Sequence, residues 1–234
     1  MKILVTGGSG FTGQNFIKQA SLLGHIVISI DADLLDKVAL RQSINALEFD
    51  AVIHLAALSF VGHEDKSDFY SVNVLGTMNL LEAIESVDNS QLKSIVLASS
   101  AHVYGNKSSL PIGEGHDVSP NSHYATSKLA MEIMSKTYLD RLPILFVRPF
   151  NYTGPGQNLN FVIPKIVDHF SRQEKTINLG NLDVEREYND IRFVCDAYLA
   201  LIEYGRIGDT YNLCTGSTFT LRHILDSLTE ITKH

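Results

Sequence analysis

The first thirteen residues constrain the fold of this chain more than any other stretch. Residues 2–6 form a short apolar run rich in β-branched side chains, which predicts a buried strand. A turn follows with Gly7, Gly10 and Gly13 at three-residue spacing, and apolar residues then recur at helical spacing. In such a strand–turn–helix unit the glycines permit a tight turn, admit a pyrophosphate to the backbone and allow close helix packing. The free N–H groups at the helix N-terminus attract phosphates.

The glycine turn therefore predicts a dinucleotide site, and the alternative is an ordinary glycine-rich turn. The residues that we assign to the site at this turn are Gly7, Gly10, Phe11, Thr12 and Gly13.

Length and composition limit the classes of partner. A chain of 234 residues, 44% of them hydrophobic, suits one α/β domain with a small additional lobe. The formal charge is −7 without any block of lysine or arginine, so we expect neither nucleic acid nor a membrane as partner. The strand at residues 2–6 leaves no room for a signal peptide, and Cys195 and Cys214 lack metal-ligand neighbours. We therefore expect a cytoplasmic protein with free thiols and no metal site.

A second predicted strand, residues 25–30, ends at an acidic residue. Asp31 follows the glycine turn by about 20 residues, where dinucleotide folds place a carboxylate on the ribose hydroxyls. A carboxylate there favours NAD over NADP because it repels the 2′-phosphate, although NADP stays open; a solvated turn acid is the alternative. Asp33 and Leu34 are included in the predicted cofactor site, and Asp36 is predicted to cap the next helix.

Three further apolar runs, residues 51–57, 94–98 and 144–147, predict buried strands. Alternation of strands with helical patterns predicts an α/β fold: a Rossmann-type, doubly wound parallel sheet. The first of these runs ends in small residues, which would let a flat cofactor lie over the sheet. The cofactor residues assigned there are Leu55, Ala56 and Ala57, whereas His54 is interpreted as a packed strand residue.

The pattern becomes shorter and less regular from residue 152. We therefore predict an NAD(P)-binding Rossmann domain over 1–151 and a small substrate-binding lobe over 152–234, expected to be incomplete at its C-terminus. The elements predicted in the lobe are helices over 161–171, 193–204 and 221–231 and strands over 176–179 and 210–213.

A tyrosine and a lysine are the main candidates for acid–base catalysis. Tyr124 and Lys128 are four residues apart on a predicted helix, so they share one face. A nearby ammonium would stabilise the phenolate and lower the pKa of Tyr124, making it a usable acid–base group. Ser100, at the end of a central strand, could bond a substrate oxygen, and Asn73 could help to hold the lysine. An exposed tyrosine and lysine on an ordinary helix is the alternative.

Six stretches of the sequence resemble the extended short-chain dehydrogenase/reductases, the NAD(P)-dependent epimerase/dehydratase family of nucleotide-sugar enzymes. In chain order, the stretches are Thr6-Gly-Gly-Ser-Gly-Phe-Thr-Gly13, His54-Leu-Ala-Ala57, Asn73-Val-Leu-Gly-Thr77, Ser99-Ser-Ala-His-Val-Tyr-Gly105, Tyr124-Ala-Thr-Ser-Lys128 and Arg148-Pro-Phe-Asn151. The second half looks most similar to GDP-4-keto-6-deoxy-mannose reductases and their GDP-mannose dehydratase relatives.

The resemblance implies roles for individual residues. Tyr124 would be the catalytic acid–base, Lys128 its partner and a cofactor ligand, and Ser100 a ligand of the sugar hydroxyl. The remaining implied contacts are Asn73 and Phe150 with the cofactor, and His102, Asn151 and Arg186 with the nucleotide sugar. An arginine fork suits a diphosphate, although a surface arginine is the alternative.

One departure from the family pattern bears on the reaction. Dehydratases carry an acid two residues after the position of Ser100, where this chain has His102, so 4,6-dehydration is not expected. We predict reduction of a 4-keto nucleotide sugar, with epimerisation at C4 on tightly bound NAD as the alternative and a non-catalytic cofactor-binding regulator as a third reading. The nucleotide base and the sugar stay undetermined.

The resemblance also implies a homodimer through a four-helix interface. The apolar residues expected to supply its surface are Met78, Leu81, Ile84, Met131, Ile133 and Met134. The alternative is that these side chains face the sheet.

Overall fold

The computed structural model describes residues 1–60, 62–88, 90–106 and 110–233, and its centre is a parallel sheet. Six strands form this sheet: β1 (Lys2–Thr6), β2 (Ile26–Ile30), β3 (Ala51–His54), β4 (Ser94–Ala98), β5 (Ile144–Pro149) and β9 (Thr210–Leu213). Their order is β2-β1-β3-β4-β5-β9. Two minor pairs are formed by β6 (Tyr152–Thr153) with β8 (Asn189–Asp190), and by β7 (Glu185–Arg186) with β10 (Phe219–Thr220).

Helices cover both faces of the sheet. They are α1 (Phe11–Leu22), α2 (Lys37–Asn45), α3 (Ser67–Tyr70), α4 (Thr77–Glu85), α5 (His123–Ser135), α6 (Val162–Ser171), α7 (Ile191–Tyr204) and α8 (Leu221–Thr232). A π-helical segment, Ser71–Gly76, joins α3 to α4. Short 3-10 turns span Ala101–Tyr104 and Lys136–Tyr138.

Successive side chains along the strands point to opposite faces of the sheet, so the hydrophobic core has two parts. Ile3 and Val5 on β1 point to a cluster that includes α1 and α7, whereas Leu4 points to a cluster that includes α2, α4 and α5. Every residue of β3, β4 and β5 is buried, as expected for parallel strands covered on both faces. The predicted Rossmann-type sheet is thus confirmed.

The order of the strands places a crevice above the sheet. From β1 the chain moves outward to β2 and then crosses to β3 on the other side of β1. Ligands of open α/β sheets bind at such a switch point, beyond the carboxyl ends of the strands. Asp36 caps α2 as predicted, because its carboxylate accepts hydrogen bonds from the backbone N–H groups of Val38 and Ala39.

Parts of the region assigned to the substrate lobe pack on the main sheet. Helix α7 lies against α1 in the core, and β9 extends the sheet beside β5. The division at residue 151 stays a prediction. The strand predicted over 176–179 is wrong, since these residues form no strand and are exposed or half-buried. The carbonyl of Asn178 instead accepts a hydrogen bond from Lys165 Nζ at 3.0 Å.

Three residues assigned to a subunit interface face inward. Leu81, Ile84 and Met131 are 0% exposed and belong to the core between the sheet and its helices. Met78 and Met134 are half-buried against the same core, and Ile133 is 60% exposed. The expected apolar surface is therefore smaller than predicted, because α4 and α5 use these faces to cover the sheet.

The helices of the described part of the chain are too short or too polar for a bilayer. None of them combines the length and the apolar character required to span a membrane.

Candidate active site

The glycine turn has the close backbone approaches that its sequence predicts. Gly7 has φ of +72°, and a Cβ at this residue would lie 2.6 Å from the backbone nitrogen of Ala56. A Cβ at Gly13 would overlap the carbonyl oxygen of Gly7. Helix α1 begins directly after Gly10 and has no side-chain cap, so its first N–H groups are available to an anion. The turn therefore has the geometry of a phosphate cradle.

A cavity of about 630 Å³ opens in front of this turn, at the carboxyl ends of the strands. It brings together most of the predicted site residues. Those lining it are Gly7, Gly10, Phe11, Thr12, Gly13, Leu55, Ala57, Ser100, His102, Tyr124, Lys128, Phe150, Asn151 and Arg186. The volume lies within the usual range of small-molecule and cofactor sites, and the roles of these residues stay predictions.

A smaller cavity of about 190 Å³ lies on the other side of the turn, above β2. Asp31, Leu34 and Ala56 line it, together with Gly7. Asp31 is exposed at the end of β2, where its carboxylate could accept hydrogen bonds from hydroxyl groups. Asp33 lines neither cavity, and its carboxylate accepts the backbone N–H of Leu35 at 2.9 Å in a local turn.

Asn73 also lies away from both cavities, but it supports the helix that carries Tyr124. Its side chain is 1% exposed and bonds the backbone of Leu58 twice, accepting from N at 2.9 Å and donating to O at 3.1 Å. Its amide also donates to Ser127 Oγ at 3.0 Å, and Ser127 Oγ donates to the carbonyl of Tyr124 at 2.8 Å. Asn73 thereby ties the loop after β3 to the first turn of α5.

Burial dominates the electrostatics of Tyr124 and Lys128. Lys128 is 4% exposed, and its Nζ donates to the carbonyl of Ala98 at 2.7 Å. Loss of water lowers the pKa of Lys128 to about 8, against an opposing effect of the Glu132 carboxylate. Burial also raises the pKa of Tyr124 to about 12, although a hydrogen bond with Ser100 opposes the rise.

The predicted lowering of the Tyr124 pKa is therefore not found. Burial penalises the phenolate, and the Lys128 ammonium is directed at the carbonyl of Ala98. At neutral pH Tyr124 is a protonated phenol in the same cavity as the charged Lys128 ammonium. This pair can donate a proton to an oxygen on which negative charge develops.

Ser100 and His102 lie beside the phenol. Ser100 Oγ accepts the backbone N–H of His102 at 3.2 Å and is hydrogen-bonded with Tyr124. The His102 ring meets the Tyr124 ring edge-on, with centroids 5.9 Å apart. Burial lowers the pKa of His102, a hydrogen bond with Asn151 opposes the change, and the positive charge of Arg186 adds to it. His102 is therefore mainly neutral at pH 7 and offers a hydrogen bond rather than a charge.

A buried ion pair behind the site was missed by the sequence reasoning. Arg148 bonds Glu132 through two nitrogens, with Nε–Oε1 of 2.9 Å and Nη2–Oε2 of 2.7 Å. Ser99 Oγ donates to the same carboxylate at 2.5 Å, and Arg148 Nη1 donates to the Tyr104 hydroxyl at 2.9 Å. Glu132 follows Lys128 by four residues, so helical spacing was a signal that could have found it.

Aromatic residues on the wall of the main cavity were also missed. Tyr152 stacks on Phe11 with centroids 6.3 Å apart, and its hydroxyl lies 2.9 Å from Thr12 Oγ1. Tyr188 and Phe161 line the same cavity. The sequence gives no local signal for them, because they come from segments joined only by the tertiary fold.

Known proteins are similar in sequence to this chain over nearly its whole length. Residues 26–233 match the family described as GDP-mannose 4,6 dehydratase. A GDP-6-deoxy-D-talose 4-dehydrogenase of Aggregatibacter actinomycetemcomitans is 37% identical over 100% of this chain and 81% of its own length. A GDP-6-deoxy-D-mannose reductase of Pseudomonas aeruginosa is 34% identical, over 98% of this chain and 80% of its own length.

A solved structure agrees with the sequence relatives. The structure of RMD from Pseudomonas aeruginosa, complexed with NADPH, superposes with a TM-score of 0.90 at 32% identity. The match covers 99% of this chain and 84% of that chain. The similarity thus extends through the sheet, the glycine turn and the tyrosine helix.

Proposed function

The chain belongs to the GDP-mannose 4,6-dehydratase family within the extended short-chain dehydrogenase/reductases, and we propose that it reduces a 4-keto-6-deoxy nucleotide sugar with NAD(P)H. The observation that carries this proposal is the placement of Ser100, Tyr124 and Lys128 in one cavity with the glycine turn. A proton donor and a dinucleotide site at the same edge of the sheet are what hydride transfer to a carbonyl requires.

The chain's own residues fit a nicotinamide dinucleotide. The uncapped start of α1 and the glycines at residues 7, 10 and 13 suit its pyrophosphate. When bound, the cofactor supplies the hydride. Asp31 at the smaller cavity is proposed to accept hydrogen bonds from ribose hydroxyls, which supports NAD over NADP. Phe150 and Lys128 line the same cavity as the glycine turn and are proposed to contact the cofactor.

Tyr124 is proposed to act as the proton donor. Tyr124 would give its phenol proton to the carbonyl oxygen at C4 of the sugar, on which negative charge develops during reduction. The raised pKa of Tyr124 keeps it protonated at neutral pH, ready for this transfer. The Lys128 ammonium then stabilises the phenolate that remains, and Ser100 donates a hydrogen bond to the same sugar oxygen.

The charge of the site supports reduction over 4,6-dehydration. Removal of water from the sugar needs a group that takes a proton from carbon and another that protonates the departing oxygen. The residue two positions after Ser100 is His102, without a carboxylate, and burial lowers its pKa. His102 and Asn151 are proposed instead to bond the sugar, and Arg186 at the cavity rim to bind the diphosphate.

Epimerisation at C4 would use the same three side chains, so the two reactions must be separated by their products. The purified protein should oxidise one NAD(P)H for each 4-keto-6-deoxy nucleotide sugar consumed, as read from absorbance and from analysis of the sugar. Turnover of a nucleotide sugar without net oxidation of cofactor would favour the epimerase instead.

A Tyr124→Phe variant provides the catalytic test. It should bind NADH like the wild type while turnover falls at least about 100-fold, because general acid catalysis is lost. Undiminished turnover would contradict the role of Tyr124. Cofactor binding without any turnover in the wild type would favour a regulator.

Assembly and location belong to the same proposal. We propose a homodimer that pairs through α5 and through the π-helical segment Ser71–Gly76 with α4 that follows it, supported by the exposure of Ile133 on α5 at 60% and of Leu75 on the π-helical segment at 49%. Both described cysteines are free, which supports a reducing cytoplasm as the location.

A further inference from the structure

His54, the last residue of β3, lies at the centre of a buried line of hydrogen bonds. It is 2% exposed, its Nδ1 lies 2.6 Å from Thr6 Oγ1, and its Nε2 lies 2.8 Å from Thr77 Oγ1. Thr6 and Thr77 are each 1% exposed. Three buried polar side chains from β1, β3 and α4 are thus within hydrogen-bond distance of one another.

The direction of each hydrogen bond follows from the single proton of a hydroxyl. Thr77 Oγ1 donates to the carbonyl of Asn73 at 2.8 Å, so towards His54 it can only accept. Nε2 of His54 must therefore carry a proton. Burial lowers the pKa of His54 to about 3, so the ring is neutral at pH 7 and Nδ1 is an acceptor. Thr6 then donates to Nδ1 and accepts the backbone N–H of Ala56 at 3.3 Å.

The two ends of this line lie at the two halves of the candidate active site. Thr6 directly precedes Gly7, whose turn forms the phosphate cradle, and Ala56 lines the smaller cavity. At the other end, Asn73 bonds Ser127, which in turn bonds the carbonyl of Tyr124. The hydrogen bonds of His54 therefore join the start of the cofactor site to the start of the tyrosine helix.

We propose that His54 is a positioning residue, fixed as the Nε2–H tautomer, that sets the distance between the bound cofactor and Tyr124. This role rests on the proposed function, because it matters only if a hydride and a proton must reach the same substrate. Loss of the line would let α5 shift against the glycine turn, and small misplacements of reacting groups slow a reaction strongly.

The tautomer can be tested on the folded protein without substrate. Nitrogen NMR of His54, assigned with a His54→Phe variant, should show an unprotonated Nδ1 and a protonated Nε2. The signals should not change between about pH 5.5 and 8.5, since the pKa is far below this range. A protonated Nδ1, or titration within that range, would refute the arrangement.

Kinetics test the positioning role. His54→Phe and Thr77→Val should each lower kcat at saturating cofactor by about tenfold or more, with a smaller effect on NADH affinity. Because both variants interrupt the same line, the double variant should be no slower than the worse single one. Multiplicative losses in the double variant would mean that the two residues act separately.

Ser94→Ala is the matched control. Its hydroxyl is also buried, at 2% exposure, and donates to the carbonyl of Ile202 at 2.9 Å, but it lies at the amino end of β4. It should lower the melting temperature without lowering kcat. If Thr77→Val, which keeps the shape of the side chain, behaves like this control, the proposal for His54 is wrong. A wild-type protein that reduces no keto sugar would instead refute the proposed function.

Discussion

At the scale of single residues, burial sets the protonation of the tyrosine–lysine pair. Tyr124 and Lys128 both lose water in the cavity wall, and the loss acts in opposite directions on the pKa of an acid and of a base. The phenol is kept protonated, and the ammonium becomes easier to deprotonate. A site of this kind is prepared to give a proton rather than to take one.

The activity should depend on pH through Lys128. Burial lowers the Lys128 pKa from 10.5 to about 8, and the ammonium is the form that stabilises the Tyr124 phenolate. The value of kcat/KM should therefore decrease as pH rises through about 8. Glu132→Gln should move this decrease to lower pH, since the Glu132 carboxylate raises the pKa of Lys128.

Lys128→Met is the control for the pH profile. It should have a low kcat/KM and no decrease near pH 8. A decrease that persists in this variant, or one centred near pH 10 in the wild type, would contradict the assignment.

Residue identities at the site were accessible from the sequence, whereas their electrostatics were not. Tyr124 and Lys128 were found from their spacing on one helix. The direction of the Tyr124 pKa shift was missed because it depends on burial by segments far away in the chain. The local turn in which the Asp33 carboxylate accepts the backbone N–H of Leu35 was also not predicted, and the assignment of Asp33 to the cofactor site stays a prediction.

At the scale of elements, helix α5 is attached to the sheet by a charge pair. The Glu132 side chain is 1% exposed and that of Arg148 is 7% exposed, and two hydrogen bonds join them. Such a pair fixes geometry more than it adds stability, because both charges must be removed from water. Removing one partner alone leaves a buried charge without its counterion.

Glu132→Gln should therefore lower the free energy of unfolding by about 3–5 kcal/mol, measured by urea denaturation. The double variant Glu132→Gln/Arg148→Met should recover a large part of that loss, because no unpaired charge remains. A cost below about 1 kcal/mol for the single variant would show that the pair does not hold α5.

Two glycines of the glycine turn should have separate roles, one in packing and one in cofactor binding. Gly13→Ala should lower the free energy of unfolding by about 1–3 kcal/mol, because its Cβ would overlap the Gly7 carbonyl oxygen. Gly10→Ala should cost less stability than Gly13→Ala, since its Cβ would lie 3.3 Å from that oxygen and a shift of a few tenths of an ångström relieves the contact, yet it should weaken NADH binding. Equal effects on stability would contradict the assignment of separate packing and binding roles to these glycines.

At the scale of the whole molecule, the regular periodicity of the sheet strands made the fold class predictable. The buried strands and the glycine turn are local signals, and the parallel sheet follows from them. The region after residue 152 was less predictable. Its helix α7 and strand β9 return to the main sheet, and such long-range packing leaves little trace in local patterns.

The subunit interface is a prediction at this scale. If α4 and α5 pair across a dimer, Ile133→Asp should convert the protein from dimer to monomer in light scattering. Leu22→Asp is the matched control, because Leu22 is 79% exposed at the end of α1. A wild-type monomer, or dissociation by the control alone, would contradict pairing through these helices.

The central claim is net transfer of a hydride to a keto sugar, and isotope tracing tests it most directly. The protein should be supplied with a 4-keto-6-deoxy nucleotide sugar and NADH or NADPH deuterated at the transferring position of the nicotinamide. We predict that each product molecule carries one deuterium at C4 and that one oxidised cofactor accumulates with it. A product without deuterium, formed without accumulation of oxidised cofactor, would contradict the proposed reduction.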